Sequence, residues 1–93
     1  MKIEVLYFAD LKDITGKDKE VLFLNQNKVI EIVNLLFEKY PSIKEIIWDE
    51  NRSSMREIIS LAINDTIIHE KDKLSIELSE GDRIAILLPV SGG

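Results

Sequence analysis

Apolar residues crowd both faces of the opening segment, MKIEVLYF. Ile3, Val5 and Tyr7 fall on one side of an extended chain and Leu6 and Phe8 on the other, so Lys2–Phe8 predicts a strand. Ala9–Ile14 predicts one short helical turn, which Gly16 ends. Lys19–Leu24 predicts a second two-faced strand, with Val21 and Phe23 against Leu22 and Leu24. Asn25-Gln26-Asn27 breaks it, and a hairpin-like pairing with the first strand is the economical arrangement. The period then changes. Val29, Ile32, Val33, Leu36 and Tyr40 recur at helical spacing, with Glu31, Asn34, Glu38 and Lys39 off that stripe, so Lys28–Tyr40 predicts the main helix.

Asn27 suits the N-cap of that helix, and Pro41 stops it. A shorter helix is predicted from Ser42, where Ser42 and Glu45 make a capping box and Ile43, Ile46 and Ile47 form the apolar side. Asp49–Arg56 is a polar loop. Ile58–Ile63 predicts a third strand, Asn64-Asp65 a turn and Thr66–His69 a short return strand. Leu74–Leu78 is a further short element, and Ser79-Glu80-Gly81-Asp82 a turn with Gly81 suited to positive φ. Arg83–Leu88 predicts the last strand. The order β-β-α-(α)-β-β-β, with one long helix across a mixed sheet, is that of a β-grasp, an α+β fold. No repeat or low-complexity linker interrupts it, so residues 1–88 form one domain and residues 89–93 a flexible C-terminal tail.

Strands that are apolar on both faces need both faces covered, and one main helix covers only one. The second face, drawn from Leu6, Phe8, Leu22, Leu24 and Leu87, is therefore either a protein-binding patch or a surface that loops and the 42–48 helix cover. The pattern leaves both open.

Composition narrows the chemistry. The 93 residues are 45% hydrophobic and 31% charged, a globular profile at the size of one domain. With 12 basic and 17 acidic residues the net charge is −5, which argues against nucleic-acid binding. There is no Cys, and so no disulfide, thiolate metal site or thiol nucleophile. The single His, His69, makes a His-ligated metal site or a Ser-His-Asp arrangement implausible. No apolar run reaches a membrane span or a signal peptide, so the expectation is a cytoplasmic domain with no membrane partner and few side chains for chemistry of its own.

The sequence LLPVSGG supplies another means. A strand running into Pro89-Val90-Ser91-Gly92-Gly93 presents a carboxylate on an arm that reaches roughly 17 Å when extended. Pro89 removes a backbone donor and ends sheet pairing, while two glycines let the arm thread a narrow channel. A terminal carboxylate is ionised at neutral pH and a poor electrophile, so another protein must activate it, most simply as an acyl-adenylate made with ATP.

MKIEVLYFADLKDITG and EGDRIAILLPVSGG together resemble the small, sulfur-carrier subunit of molybdopterin synthase, the MoaD type of the MoaD/ThiS β-grasp family. The likeness is specific at the two ends: Leu6-Tyr7-Phe8-Ala9, Leu11 and Gly16 in the first, Gly81-Asp82, Ile84–Leu87 and Pro89–Gly93 in the second. Leu88 stands where the family has a first proline, a departure that touches no reacting atom. The resemblance implies that a ubiquitin-activating-like enzyme adenylates the Gly93 carboxyl with ATP and that a sulfur donor converts it to a thiocarboxylate. It implies that Pro89, Val90, Ser91 and Gly92 insert into the large synthase subunit, within a heterotetramer, where sulfur passes to cyclic pyranopterin monophosphate. The chain itself would bind no cofactor or metal and be a sulfur-donating subunit without catalytic side chains. A chain without Cys can carry sulfur only on a carboxyl group, which is where the two lines of reasoning meet.

Other β-grasp carriers, of the thiazole-forming ThiS type or in tRNA thiolation, share the Gly-Gly ending. ThiS proteins are typically shorter between the positions of Tyr40 and Ile58. A β-grasp RNA-binding or interaction module of the TGS type is the alternative of another class, and the acidic charge weighs against RNA. Of the remaining residues, His69 reads as a solvated turn residue and Trp48 as packing for the short helix. Arg52 and Arg56 read as solubilising charge. Glu77, Glu80 and Asp82 read as acids that steer a basic partner toward the tail.

Overall fold

The computed structural model describes residues 1–89. A central pair of parallel strands, β1 (Lys2–Leu6) and β7 (Arg83–Leu87), carries the rest of the sheet. On one side β2 (Lys19–Phe23) pairs antiparallel with β1; on the other β5 (Ser60–Ile63) pairs antiparallel with β7, followed by β6 (Thr66–Ile67). The order β2-β1-β7-β5-β6 makes a mixed five-stranded sheet. Helix α1 (Ala9–Thr15) follows β1, and helices α2 (Val29–Lys39) and α3 (Pro41–Ile47) follow β2. This is the β-grasp arrangement expected from the periodicity.

Helix α2 lays Val29, Ile32, Val33 and Leu36 on one face of the sheet, where all four are fully buried. Ile3, Val5 and Tyr7 of β1 and its continuation, Leu61, Ile84 and Ile86 meet them, and α3 adds Ile43 and Ile47. Gly16 closes α1 at φ 72, as predicted, with its N–H on the Lys12 carbonyl at 2.8 Å.

Several local expectations are corrected. Asn27 does not cap α2. Lys28 takes the cap position without a side-chain cap, and the Val29 N–H donates instead to the Ile76 carbonyl at 3.1 Å. The 76–78 segment thus satisfies a helix end that the sequence assigned to a side chain. The Ser42–Glu45 capping box does not form either, because α3 starts one residue earlier, with Pro41 in its first turn. Pro41 both stops one helix and opens the next. The polar 49–56 loop contains a two-stranded ribbon, β3 (Trp48–Asp49) with β4 (Ser54–Met55). The further short element expected at Leu74–Leu78 begins as a 3₁₀ turn, Lys73–Ser75.

Candidate functional site: the open sheet face and the exit of the last strand

Among the described residues, no helix lies over the face of the sheet away from α2. Across β1 and β2, Ile3 lies opposite Leu22, Glu4 opposite Val21 and Lys2 opposite Phe23. Residues directly opposite point to the same side of a sheet. Leu22, partnered with core residue Ile3, therefore points into the core, and Leu24 follows it; both are buried. This corrects the sequence reading, which grouped Leu22 and Leu24 with Leu6 and Phe8. The outward residues of β2 are Lys19 and the apolar Val21 and Phe23, all exposed.

Leu6, Phe8 and Leu87 do share the open face. They line a shallow depression of about 230 Å³ together with Ala62, Asp65, Ile67, Arg83 and Ala85. Leu6 sits opposite Ala85, and Ala85 opposite Ala62, so two small residues form the floor. Phe8 (half exposed) and Ile67 form part of the rim. Ala62, Ile67 and Ala85 escaped the sequence reading because two alanines and a short return strand carry little hydrophobic signal. Only strand registry assembles them.

Pro89 lies just beyond the end of β7 and is exposed. Val90, Ser91, Gly92 and Gly93 lie outside the described residues. The last strand leaves the sheet between the C-terminal end of its parallel neighbour β1 and the N-terminal end of its antiparallel neighbour β5, where Leu87 faces Ser60. Phe8 stands two residues beyond Leu6, level with Leu87, which places an aromatic ring beside that exit. The next residue, Ala9, has φ 49, an uncommon conformation for a side-chain-bearing residue, and there the chain turns into α1.

The acids assigned to steering sit at the other end of β7 and bond within the fold. Glu80 accepts the Lys2 N–H at 2.8 Å. Asp82 accepts the Ser79 N–H at 2.8 Å and the Asn64 amide N–H at 2.9 Å. Glu80 and Asp82 hold turns, and of the three acids Glu77 alone is exposed with no side-chain bond among the described residues. Arg56 is likewise structural: it donates to the carbonyls of Trp48 and Glu45 at 3.3 and 3.2 Å, pinning the end of α3. Arg52 donates to the Met55 carbonyl at 3.3 Å. Trp48 packs edge-on to Phe37 at 5.6 Å, joining the end of α3 to α2, and His69 is exposed.

Glu20 is the polar group that sequence reading missed. Its Oε1 accepts hydrogen bonds from the Tyr7 and Tyr40 hydroxyls at 2.8 and 2.9 Å. Its Oε2 accepts from Lys17 Nζ at 3.1 Å and from Lys39 Nζ. Burial raises the carboxyl pKa, but the four donors outweigh it and hold the group down at about 2. Burial first, then the bond to Glu20, pushes the Tyr7 hydroxyl well above its ordinary range. Tyr7, on a strand face read as purely apolar, is buried with a satisfied polar tip.

The ThiS family profile matches residues 5–93, nearly the whole chain. The chain belongs to the ThiS family. This ThiS-family chain is 33% identical to the molybdopterin synthase sulfur carrier subunit of Dictyostelium discoideum over 99% of its own length and 96% of the relative's. Among solved structures it resembles the small archaeal modifier protein 1 of Methanosarcina acetivorans, with a TM-score of 0.78 and 31% identity over 99% of this chain and 96% of that one. It also resembles a chain in the complex of subunits 1 and 2 of the molybdopterin-converting factor of Helicobacter pylori, with a TM-score of 0.63 and 27% identity over 100% of each chain. Among the described residues no helix of this ThiS-family domain is long and apolar enough to cross a membrane.

Proposed function

We propose that this chain is a sulfur carrier for molybdopterin synthesis. The observation that carries the reading is the end-to-end likeness to the Dictyostelium sulfur carrier subunit, within a family match that runs through Gly93. The Gly93 carboxylate attacks the α-phosphorus of ATP on an activating enzyme, releasing pyrophosphate and forming an acyl-adenylate. A sulfur donor then displaces AMP and leaves a thiocarboxylate. Segment 89–93 enters the active site of the large synthase subunit, where the thiocarboxylate sulfur attacks a carbon of the pterin precursor and displaces an oxygen leaving group. Water then cleaves the acyl–sulfur bond, leaving the sulfur on the pterin and returning the carboxylate. The subunit complex from Helicobacter pylori supports a two-subunit arrangement. The open face of Leu6, Phe8, Ile67, Ala85 and Leu87 beside the exit of β7 is the seat for the large subunit, since an apolar surface next to the tail fixes the distance over which the arm must reach.

Intact mass after co-expression with an activating enzyme and a sulfur source tests the reading. A gain of about 16 Da, oxygen replaced by sulfur, on the C-terminal peptide is the expected result. The likeness to the archaeal modifier favours a second reading, in which the activated carboxyl is joined to a protein amine. In that case the chain appears as an amide-linked adduct on other proteins. Deleting Gly93 abolishes either product.

A further inference from the structure

Strand β2 is one edge of the sheet. Tyr7 donates its N–H to the Asp18 carbonyl at 2.8 Å, and Leu24 and Met1 exchange bonds at 2.7 and 2.9 Å. Antiparallel pairs alternate between bonded and non-bonded, so Ile3–Leu22 and Val5–Glu20 are the bonded pairs between those ends. The N–H and C=O groups of Lys19, Val21 and Phe23 consequently point away from β1, and among the described residues nothing pairs with them. Natural sheets blunt such an edge unless it is used. Here it bears Phe23, which is 75% exposed, and Val21. Neither lines the depression beside the exit of β7, from which Lys2 and Glu4 of β1 separate them.

Charge selects the occupant. Lys17 and Lys39 flank the core side of this edge, and Lys19 stands on its outer side. Their side chains are 48%, 45% and 66% exposed, whereas the carboxylates they approach, Glu20 and Glu4, are 8% and 29% exposed. Solvent therefore meets these ammonium groups, on a chain whose net charge is −5. Asp18, exposed between Lys17 and Lys19, is paired with Lys12 at 2.8 Å. A second copy added here would bring the two sets of lysines together. We propose that the β2 edge is a docking strand for an extended acidic segment of a partner protein, with apolar and acidic residues alternating. Its backbone completes the free bonds of Lys19, Val21 and Phe23. Its apolar residues cover Val21 and Phe23, and its carboxylates on the other side reach Lys17 and Lys39.

The probe is a short peptide of alternating Glu and Val, titrated into the ¹⁵N-labelled chain. Saturable shifts centred on the amides of Lys19, Val21 and Phe23, weakened by salt, support the proposal. Phe23→Ser, at an exposed position, is expected to keep the fold and weaken binding at least about fivefold. A peptide with Ser in place of Glu is expected to bind more weakly by a similar factor. Shifts centred on Leu6, Phe8 and Leu87 overturn the proposal, as do the absence of saturable shifts and equal binding of the Ser peptide. Concentration-dependent shifts of these edge amides without peptide also overturn it, in favour of self-pairing. None of these outcomes depends on the chemistry of Gly93.

Discussion

Tyr40, at the C-terminal end of α2, donates its hydroxyl proton to Glu20 of β2 across 2.9 Å. With Tyr7 on the same carboxylate oxygen and Lys17 and Lys39 on the other, one side chain ties together the main helix, an edge strand, the central strand and the α1–β2 connection. Removing the acceptor leaves the buried Tyr7 hydroxyl without a partner. Glu20→Ala is expected to lower unfolding free energy by about 2–3 kcal/mol, and Tyr40→Phe by about 1 kcal/mol. Urea titrations of the two variants beside the parent chain check this order.

The same carboxylate makes stability depend on acid. Its folded pKa is about 2, below its ordinary value of 4.5, so its contribution is complete above the unfolded value and is lost as pH falls toward the folded one. Between these limits the unfolded chain binds more protons at this site than the folded chain, and stability rises with pH. With the side chain only 8% exposed, the displacement corresponds to about 3 kcal/mol. Urea midpoints from pH 6 down to pH 2.5 are expected to fall more steeply in the parent chain than in Glu20→Gln.

Two leucine-to-aspartate changes separate the faces of the sheet. Leu87→Asp places a carboxylate on the half-buried open face and is expected to keep the fold while weakening the proposed association with the large subunit at least about tenfold. Leu22→Asp places it in the core, where an unpaired charge costs several kcal/mol, and is expected to unfold the chain. Circular dichroism distinguishes the two, and calorimetric titration with the large subunit measures the first.

Gly81 holds φ 83 in open space, with no atom beyond its two chain neighbours within 4 Å of where a Cβ would stand. The obstacle to a side chain there is backbone conformation alone. Gly81→Ala is expected to cost about 1–2 kcal/mol, read as a lower thermal midpoint. The open-face depression, built from other strands and loops, is expected to keep its shape, and with it the proposed association with the large subunit.

The β-grasp order, the α2 stripe and the left-handed glycines Gly16 and Gly81 were legible because each depends on spacing within one segment. The α2 cap was not, because the 76–78 backbone that replaces Asn27 is distant in sequence. Glu20 reads as one more charged residue on a strand until Tyr7, Lys17, Lys39 and Tyr40 converge on it. Glu80 and Asp82 read as free acids until their turn folds around them.

By itself the sequence determined that this chain has no thiol, that its helix covers one sheet face, and that PVSGG follows its last strand. Which apolar residues face outward was decided only by tertiary structure. A two-faced strand reads equally well in either orientation, since alternation fixes which residues travel together but not which set faces the core. Pairing Ile3 with Leu22 settled it for β2, sending Leu22 and Leu24 inward and leaving Val21 and Phe23 to solvent.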